Sequence, residues 1–208
     1  MPEYTLYYFP LFGRADPIRA MLEMAGTDWV DNQVPMDKWP AMKASMPNGQ
    51  MPCLELADGT KMGESTAIAR YVAQKHGFYP SDPMAAFHVD EMICAWSDII
   101  AKLYSPFFAQ GDDKAAKIKE LFETQLPGFL KVIDAQCAKG EMMVGQDLTA
   151  ADFFIGGIWT NYVGNPDVGF EKAQWEAAAA KFPNFKAYGE RYAAKVDKWI
   201  SKRGARPI

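Results

Sequence analysis

The chain has few of the residues on which disulfide scaffolds and metal centres are built. Among 208 residues there are three cysteines, Cys53, Cys94 and Cys137, and two histidines, His76 and His88. The cysteine count is odd, the spacings are wide and C-x-x-C does not occur. That pattern excludes a disulfide framework and suits a reducing compartment, the cytoplasm. Neither histidine has a thiol at ligand spacing, so no zinc site is expected. An excess of either charge is also missing. Residues before 81 carry seven basic and nine acidic groups, and those after carry fifteen and seventeen, so each part is −2. Without a basic arm or patch, neither nucleic acid nor an anionic membrane is expected as a partner. Long apolar runs are absent as well: the longest, around Phe153 to Trp159, falls far short of the ~20 residues that cross a bilayer. No N-terminal signal is expected, because Met1-Pro2-Glu3 leads straight into a strand-like run. What the chain does have is apolar and aromatic bulk. It is 49% hydrophobic and 13% aromatic, enough for a sizeable core.

The punctuation of the first eighty residues predicts a mixed α/β unit. Tyr4 to Phe9 is aromatic and β-rich, a buried strand, followed by a turn over Pro10 to Gly13. Ile18, Met21, Leu22 and Ala25 share one face of a helix over Arg14 to Ala25, and Gly26 stops it. Trp29 to Val34 reads as a strand, with one short helix from Trp39 in the irregular stretch after it. Cys53 to Leu56 and Lys61 to Gly63 flank Asp58-Gly59, a tight hairpin signal. Ser65 to His76 reads as a helix, with Gly77 beyond its end. The order is βαβ–ββα, with the crossover pair parallel and the hairpin pair antiparallel. Residues 79–83, Tyr-Pro-Ser-Asp-Pro, read as a linker between residues 1–78 and an all-helical part, 84–208. In that part Met84 to Phe108 is one long helix, with Phe87, Glu91, Cys94, Asp98 and Ala101 at helical steps. Asp112 to Ala138 is a second, kinked at Pro127-Gly128. Thr149-Ala-Ala-Asp152 is a capping-box start, and Asn165-Pro166 ends the helix it opens. Lys172 to Lys181 and Asn184 to Val196 add two more helices. Ser201 to Ile208 is short and polar and does not form an apolar C-terminal helix that could close a site, so an open site is expected.

Three places could carry chemistry. Enzymes that exchange dithiols in such a frame hold C-x-x-C after the first strand; Phe9-Pro-Leu-Phe-Gly13 has no thiol. What remains there is a phenol, Tyr7 or Tyr8, and alternation sends the two to opposite faces. Gln50-Met51-Pro52 is the second place. Either Pro52 follows an ordinary trans bond at a strand start, or a cis peptide bends the chain and bares the Met51 N–H and C=O for an extended peptide ligand. Glu64-Ser65 is the third. Free N–H groups and a hydroxyl suit an anion, and Glu64 suits a cation, so a ligand with carboxylate and ammonium on one carbon fits both; Ser65 as a plain N-cap is the other reading.

Taken together, Tyr4-Thr-Leu-Tyr-Tyr-Phe-Pro-Leu-Phe-Gly-Arg-Ala-Asp-Pro-Ile-Arg19, Trp39-Pro-Ala-Met-Lys43, Pro47-Asn-Gly-Gln-Met-Pro52, Glu64-Ser-Thr-Ala-Ile-Ala-Arg-Tyr71 and Leu148-Thr-Ala-Ala-Asp152 resemble the cytosolic glutathione transferases, and the sigma class among them. The resemblance runs from about residue 3 to the C-terminus. It implies a thioredoxin-like α/β N-terminal domain, an all-α C-terminal domain, a homodimer, and glutathione as co-substrate with no metal. By that likeness the γ-glutamyl carboxylate meets Ser65, and its ammonium meets Glu64 and Asp98 of the neighbouring subunit. The cysteinyl backbone pairs with Met51 beside Pro52, and the glycine carboxylate meets Trp39 and Lys43 with Gln50 nearby. The sulfur lies on the hydroxyl of Tyr8, which directly precedes the Phe-Pro turn; Tyr7 is then a core aromatic. Arg14 adds a positive field at the sulfur, ties the loop after the first strand to the domain interface, or does both.

The implied second substrate is a small apolar electrophile. It would sit between Tyr8, Phe9 and Leu11 on one side and Tyr104 and Phe107 on the other, with Phe108 read as packing. The alternatives are a glutathione-dependent prostanoid isomerase and a non-catalytic, crystallin-like relative. Two positions depart from the pattern. Most sigma-like members have Gln where Glu64 stands, and some relatives that bind divalent cations carry more acids where Ser97 stands.

Overall fold

The structure, a computed structural model, describes residues 1–166, 168 and 171–204. Period-2 alternation along the first strand sets the sheet. In β1 (Tyr4–Tyr8), Tyr4, Leu6 and Tyr8 are buried while Thr5 and Tyr7 are half-buried. A helix, α1 (Asp16–Ala25), carries the chain across to β2 (Trp29–Gln33), which pairs with β1 in parallel. After the single-turn helix α2 (Trp39–Met42), β3 (Cys53–Leu56) runs antiparallel to β1 and to β4 (Lys61–Met62). The sheet order is β2-β1-β3-β4, and α3 (Ser65–Lys75) follows. The hairpin forms as Asp58-Gly59 requires: Gly59 is left-handed (φ 87) and Asp58 Oδ1 accepts the Thr60 N–H at 2.8 Å.

Two expectations change in this unit. A 3₁₀ turn over Gly13–Ala15 precedes α1, so the helix begins two residues later than Arg14. Gly13 is left-handed (φ 51), which no continuing helix accommodates. Tyr7 is no core residue either: it lies half-buried, with the Lys61 ammonium 5.7 Å from its ring centre.

The remaining helices are α4 (Pro83–Tyr104), α5 (Gly111–Glu120), α6 (Leu126–Cys137), α7 (Ala150–Ile158), α8 (Lys172–Ala179), α9 (Pro183–Lys195) and α10 (Asp197–Arg203). The chain divides into two compact units: Met1–Pro80 with the stretch from Val196 onward, and Ser81–Lys195. In the second unit, Asp82 caps α4 by accepting the Ala85 N–H at 2.8 Å. Val89, Met92, Ile93, Trp96 and Leu103 form its buried side, while the row containing Glu91, Cys94 and Asp98 is exposed. Pro127 cannot donate to the carbonyl one turn back, and the chain meets it with a π-helical turn over Leu121–Gln125. The capping box at α7 is formed: the Asp152 carboxylate accepts the Thr149 N–H at 2.8 Å, the Met143 N–H at 2.8 Å and the Tyr188 hydroxyl at 3.0 Å.

The stretch after Val196 groups with the first unit, not with the all-helical part in which residues 84–208 were expected to stand together. It forms α10, which packs on α1 in the first unit. Lys198 and Lys202 meet the buried Glu23 at 3.3 and 2.6 Å, and the Arg203 guanidinium lies 4.5 Å from the Phe12 ring centre. Trp199 is buried near Trp29, with ring centres 6.4 Å apart. Residues 205–208, the end of the expected polar tail, lie outside the described residues. Among the described residues no helix is long and apolar enough to cross a membrane.

Candidate active site

The chain turns that follow the strands of the first unit enclose a cleft of about 630 Å³, the size of a small-molecule site. From β1 and its turn come Tyr8, Phe9 and Arg14; from α2 and the turns beyond it Trp39, Lys43 and Gly49. The approach to β3 supplies Gln50, Met51 and Pro52, and the start of α3 supplies Glu64 and Ser65. The structure thus brings together ten of the eleven residues expected from the sequence, and adds Gly49. Asp98 is not among them; it is exposed on α4. Of the residues expected around the electrophile only Tyr8 and Phe9 line this cleft, and Phe108, expected to pack, is 88% exposed.

Tyr8 is the buried phenol of the cleft, 7% exposed. Its hydroxyl oxygen accepts the backbone N–H of Arg14 at 3.1 Å, which leaves its own O–H free to donate to something else. Burial pushes the phenol up, while the Arg14 N–H and the charges of Arg14 and Arg19 pull the other way; the net is a raised pKa. At neutral pH the group is a proton donor and not a base. The approach of Arg14 depends on Gly13: a Cβ there would stand 2.6 Å from the Tyr8 hydroxyl, and also 2.6 Å from the Leu11 Cδ1.

The loop after β1 is tied down by a second arginine, Arg19. Its guanidinium is fully buried and donates to the carbonyls of Phe9 (3.1 Å), Leu11 (2.7 Å) and Phe12 (3.3 Å) and to Asp31 Oδ1 (2.9 Å). It stands 5.6 Å from the centre of the Tyr8 ring. The signal for it was available: Arg19 is the one charge between Asp16 and Glu23 in an otherwise apolar helix.

The remaining walls supply backbone, charge and aromatic surface. The Met51–Pro52 peptide is cis, the second of the two readings of that dipeptide and not the ordinary trans bond. Ser65 is buried as the first residue of α3, and Glu64, not Ser65, occupies the cap position with no side-chain capping bond. The Ser65 hydroxyl and the first amides of α3 are thereby left for a ligand. Glu64 has φ 66, a conformation that costs a glutamate of order 1 kcal/mol and clusters at functional sites. Phe9 bridges Tyr8 and Trp39, its ring centre 5.6 and 5.8 Å from theirs. The cleft therefore offers two cations, Arg14 and Lys43, one anion, Glu64, an aromatic face and an unspent phenolic proton. A compact ligand with two carboxylates, one ammonium and an anionic centre near Tyr8 complements that set. Among the described residues no group of three or more metal-ligating side chains is assembled.

Comparison with known proteins bears on the fold and the family. Residues 6–81 match the model of the glutathione S-transferase N-terminal domain and residues 97–203 that of the C-terminal domain. A probable glutathione S-transferase 7 of Caenorhabditis elegans is 32% identical over the whole of both chains. S-crystallin SL11 of Nototodarus sloanii is 30% identical, covering 98% of each. Among solved structures, prostaglandin synthase D of Nilaparvata lugens superposes with a TM-score of 0.83 at 27% identity, covering 98% of this chain and 100% of that one. A Fasciola hepatica sigma-class transferase gives 0.82 at 26%, and a monomeric glutathione S-transferase of Necator americanus 0.84 at 30%, each covering 98% of both chains. A thioredoxin-like α/β unit followed by a helical unit defines the class. The chain belongs to the glutathione S-transferase family, and glutathione is the co-substrate that membership implies.

Proposed function

We propose that the cleft binds glutathione and that Tyr8 keeps its sulfur ionised for attack on apolar electrophiles. The observation that carries this reading is the Arg14 N–H on the Tyr8 oxygen, which spends the acceptor side of the hydroxyl and frees its proton for a thiolate. A free cysteine thiol titrates near about 8.5, so only a few per cent is ionised at pH 7. A donated hydrogen bond and the field of Arg14 both favour the anion. A fall of about two units corresponds to ~2.7 kcal/mol and makes the thiolate dominant. The thiol proton leaves to solvent on binding. The sulfur lone pair then forms the C–S bond, and on an aryl halide the halide departs with the bonding pair. Met51 offers its N–H and C=O to the cysteinyl backbone, Trp39 and Lys43 take the glycine carboxylate with Gln50 nearby, and Ser65 takes the γ-glutamyl carboxylate.

The protein works in the cytoplasm as a homodimer of sigma-class type, in which Asp98 of one subunit reaches the ammonium bound by the other. A second reading is supported by the likeness to an insect prostaglandin synthase: the same thiolate would serve a prostanoid isomerase. The gathering of ten of the eleven expected residues in one cleft argues against a purely structural, crystallin-like role. Steady-state kinetics with glutathione and an aryl halide tests the proposal. Tyr8→Phe should lower kcat by more than about tenfold and leave glutathione affinity within a few-fold; an unchanged rate removes Tyr8 from the mechanism.

A further inference from the structure

Beside the cleft, two residues other than glycine hold left-handed backbone, and their side chains meet. Asn48 has φ 55 and Glu64 φ 66, and Asn48 Nδ2–H donates to Glu64 Oε1 at 3.4 Å. The chain is closely packed behind them: a Cβ added at Gly63 would lie 2.9 Å from the Pro47 side chain. Asparagine tolerates this conformation; glutamate has no such preference, so Glu64 is held there by its surroundings. An exposed carboxylate binds an ammonium weakly in water, chiefly because its rotamer freedom must be given up. An amide partner removes part of that freedom. It also leaves the carboxylate charge intact, as a lysine or arginine at position 48 would not, and leaves Oε2 for a second donor.

We propose that Asn48 is a positioning residue that fixes the Glu64 carboxylate for the ligand's ammonium, and so sets the preference for a tripeptide with a free α-amine over one without it. The proposal rests on the reading of the cleft as a glutathione site. Its test uses the purified full chain and two probes: glutathione, and glutaryl-cysteinyl-glycine, the same molecule lacking the amine. Asn48→Gly keeps a residue at ease at φ 55 and removes only the amide, and circular dichroism checks that the fold is retained. KM and Kd for glutathione should rise about threefold to tenfold with kcat within about twofold, and affinity for the amine-free probe should not change. Glu64→Ala should abolish most of the preference between the probes, and adding Asn48→Gly to it should cost nothing more. Equal losses for both probes, an unchanged glutathione Kd, or additive losses in the double variant would overturn the role of Asn48. Wild-type protein that binds neither probe would instead overturn the glutathione reading of the cleft, and this proposal with it.

Discussion

Tyr8 and Gly13 constrain one another. The phenol reaches the Arg14 N–H only because nothing projects from position 13, where the backbone is left-handed and an added methyl would stand 2.6 Å from the hydroxyl. Gly13→Ala should therefore act twice. The left-handed conformation would cost about 1–2 kcal/mol of stability, readable in urea denaturation, and the displaced phenol would lower kcat on an aryl halide by about tenfold or more. A variant that loses stability but keeps kcat would show that Tyr8 tolerates displacement. At this scale the residues of the cleft were partly legible: Tyr8, Met51 and Ser65 stand in short motifs whose residue types suggest chemistry, whereas Trp39 entered only through the family resemblance. Arg19 and Asn48 were not, because their partners are carbonyls and a carboxylate brought near by folding. The position of Arg19 as the one charge between Asp16 and Glu23 hints at burial, but its partners cannot be read from the sequence.

Short elements were the least legible. The strands, the hairpin and the capping box follow from alternation, Asp-Gly and Thr-x-x-Asp, all of them local rules. The helix α10 follows from none of these: its seven residues carry no such local signal, and its partner Glu23 stands some 175 positions earlier. The π turns escaped for a related reason, since a one-residue change in hydrogen-bond span leaves apolar spacing almost unaltered. The α10 contact has a pH signature. Burial pushes the Glu23 carboxyl up, but Lys202 and Lys198 outweigh it and the net pKa lies below the usual value of 4.5. A carboxyl lowered in the folded state contributes its stability above the unfolded value and loses it as pH falls through the folded one. Thermal unfolding followed from pH 6 to pH 3 should show the wild type losing about 1 kcal/mol more than Glu23→Gln below about pH 4.5. Parallel curves would show that the lysines do not hold Glu23 in solution.

At the scale of the whole molecule, the two-unit architecture could be read from a change of pattern near residue 80, where strands give way to uninterrupted helix. How many chains act together was inferred from Asp98, useful to the ligand only from a second subunit. The exposed side of α4, which also presents Phe87 at 57% exposure, is where such a contact would form. Sedimentation at micromolar concentration should give a dimer; a fully active monomer would contradict the role given to Asp98. The central claim concerns the sulfur itself and is tested by ultraviolet titration of glutathione bound to the protein. The account predicts a thiolate forming about two units below the free value of about 8.5, with that shift lost in Tyr8→Phe. A bound thiol that titrates like the free peptide would contradict it.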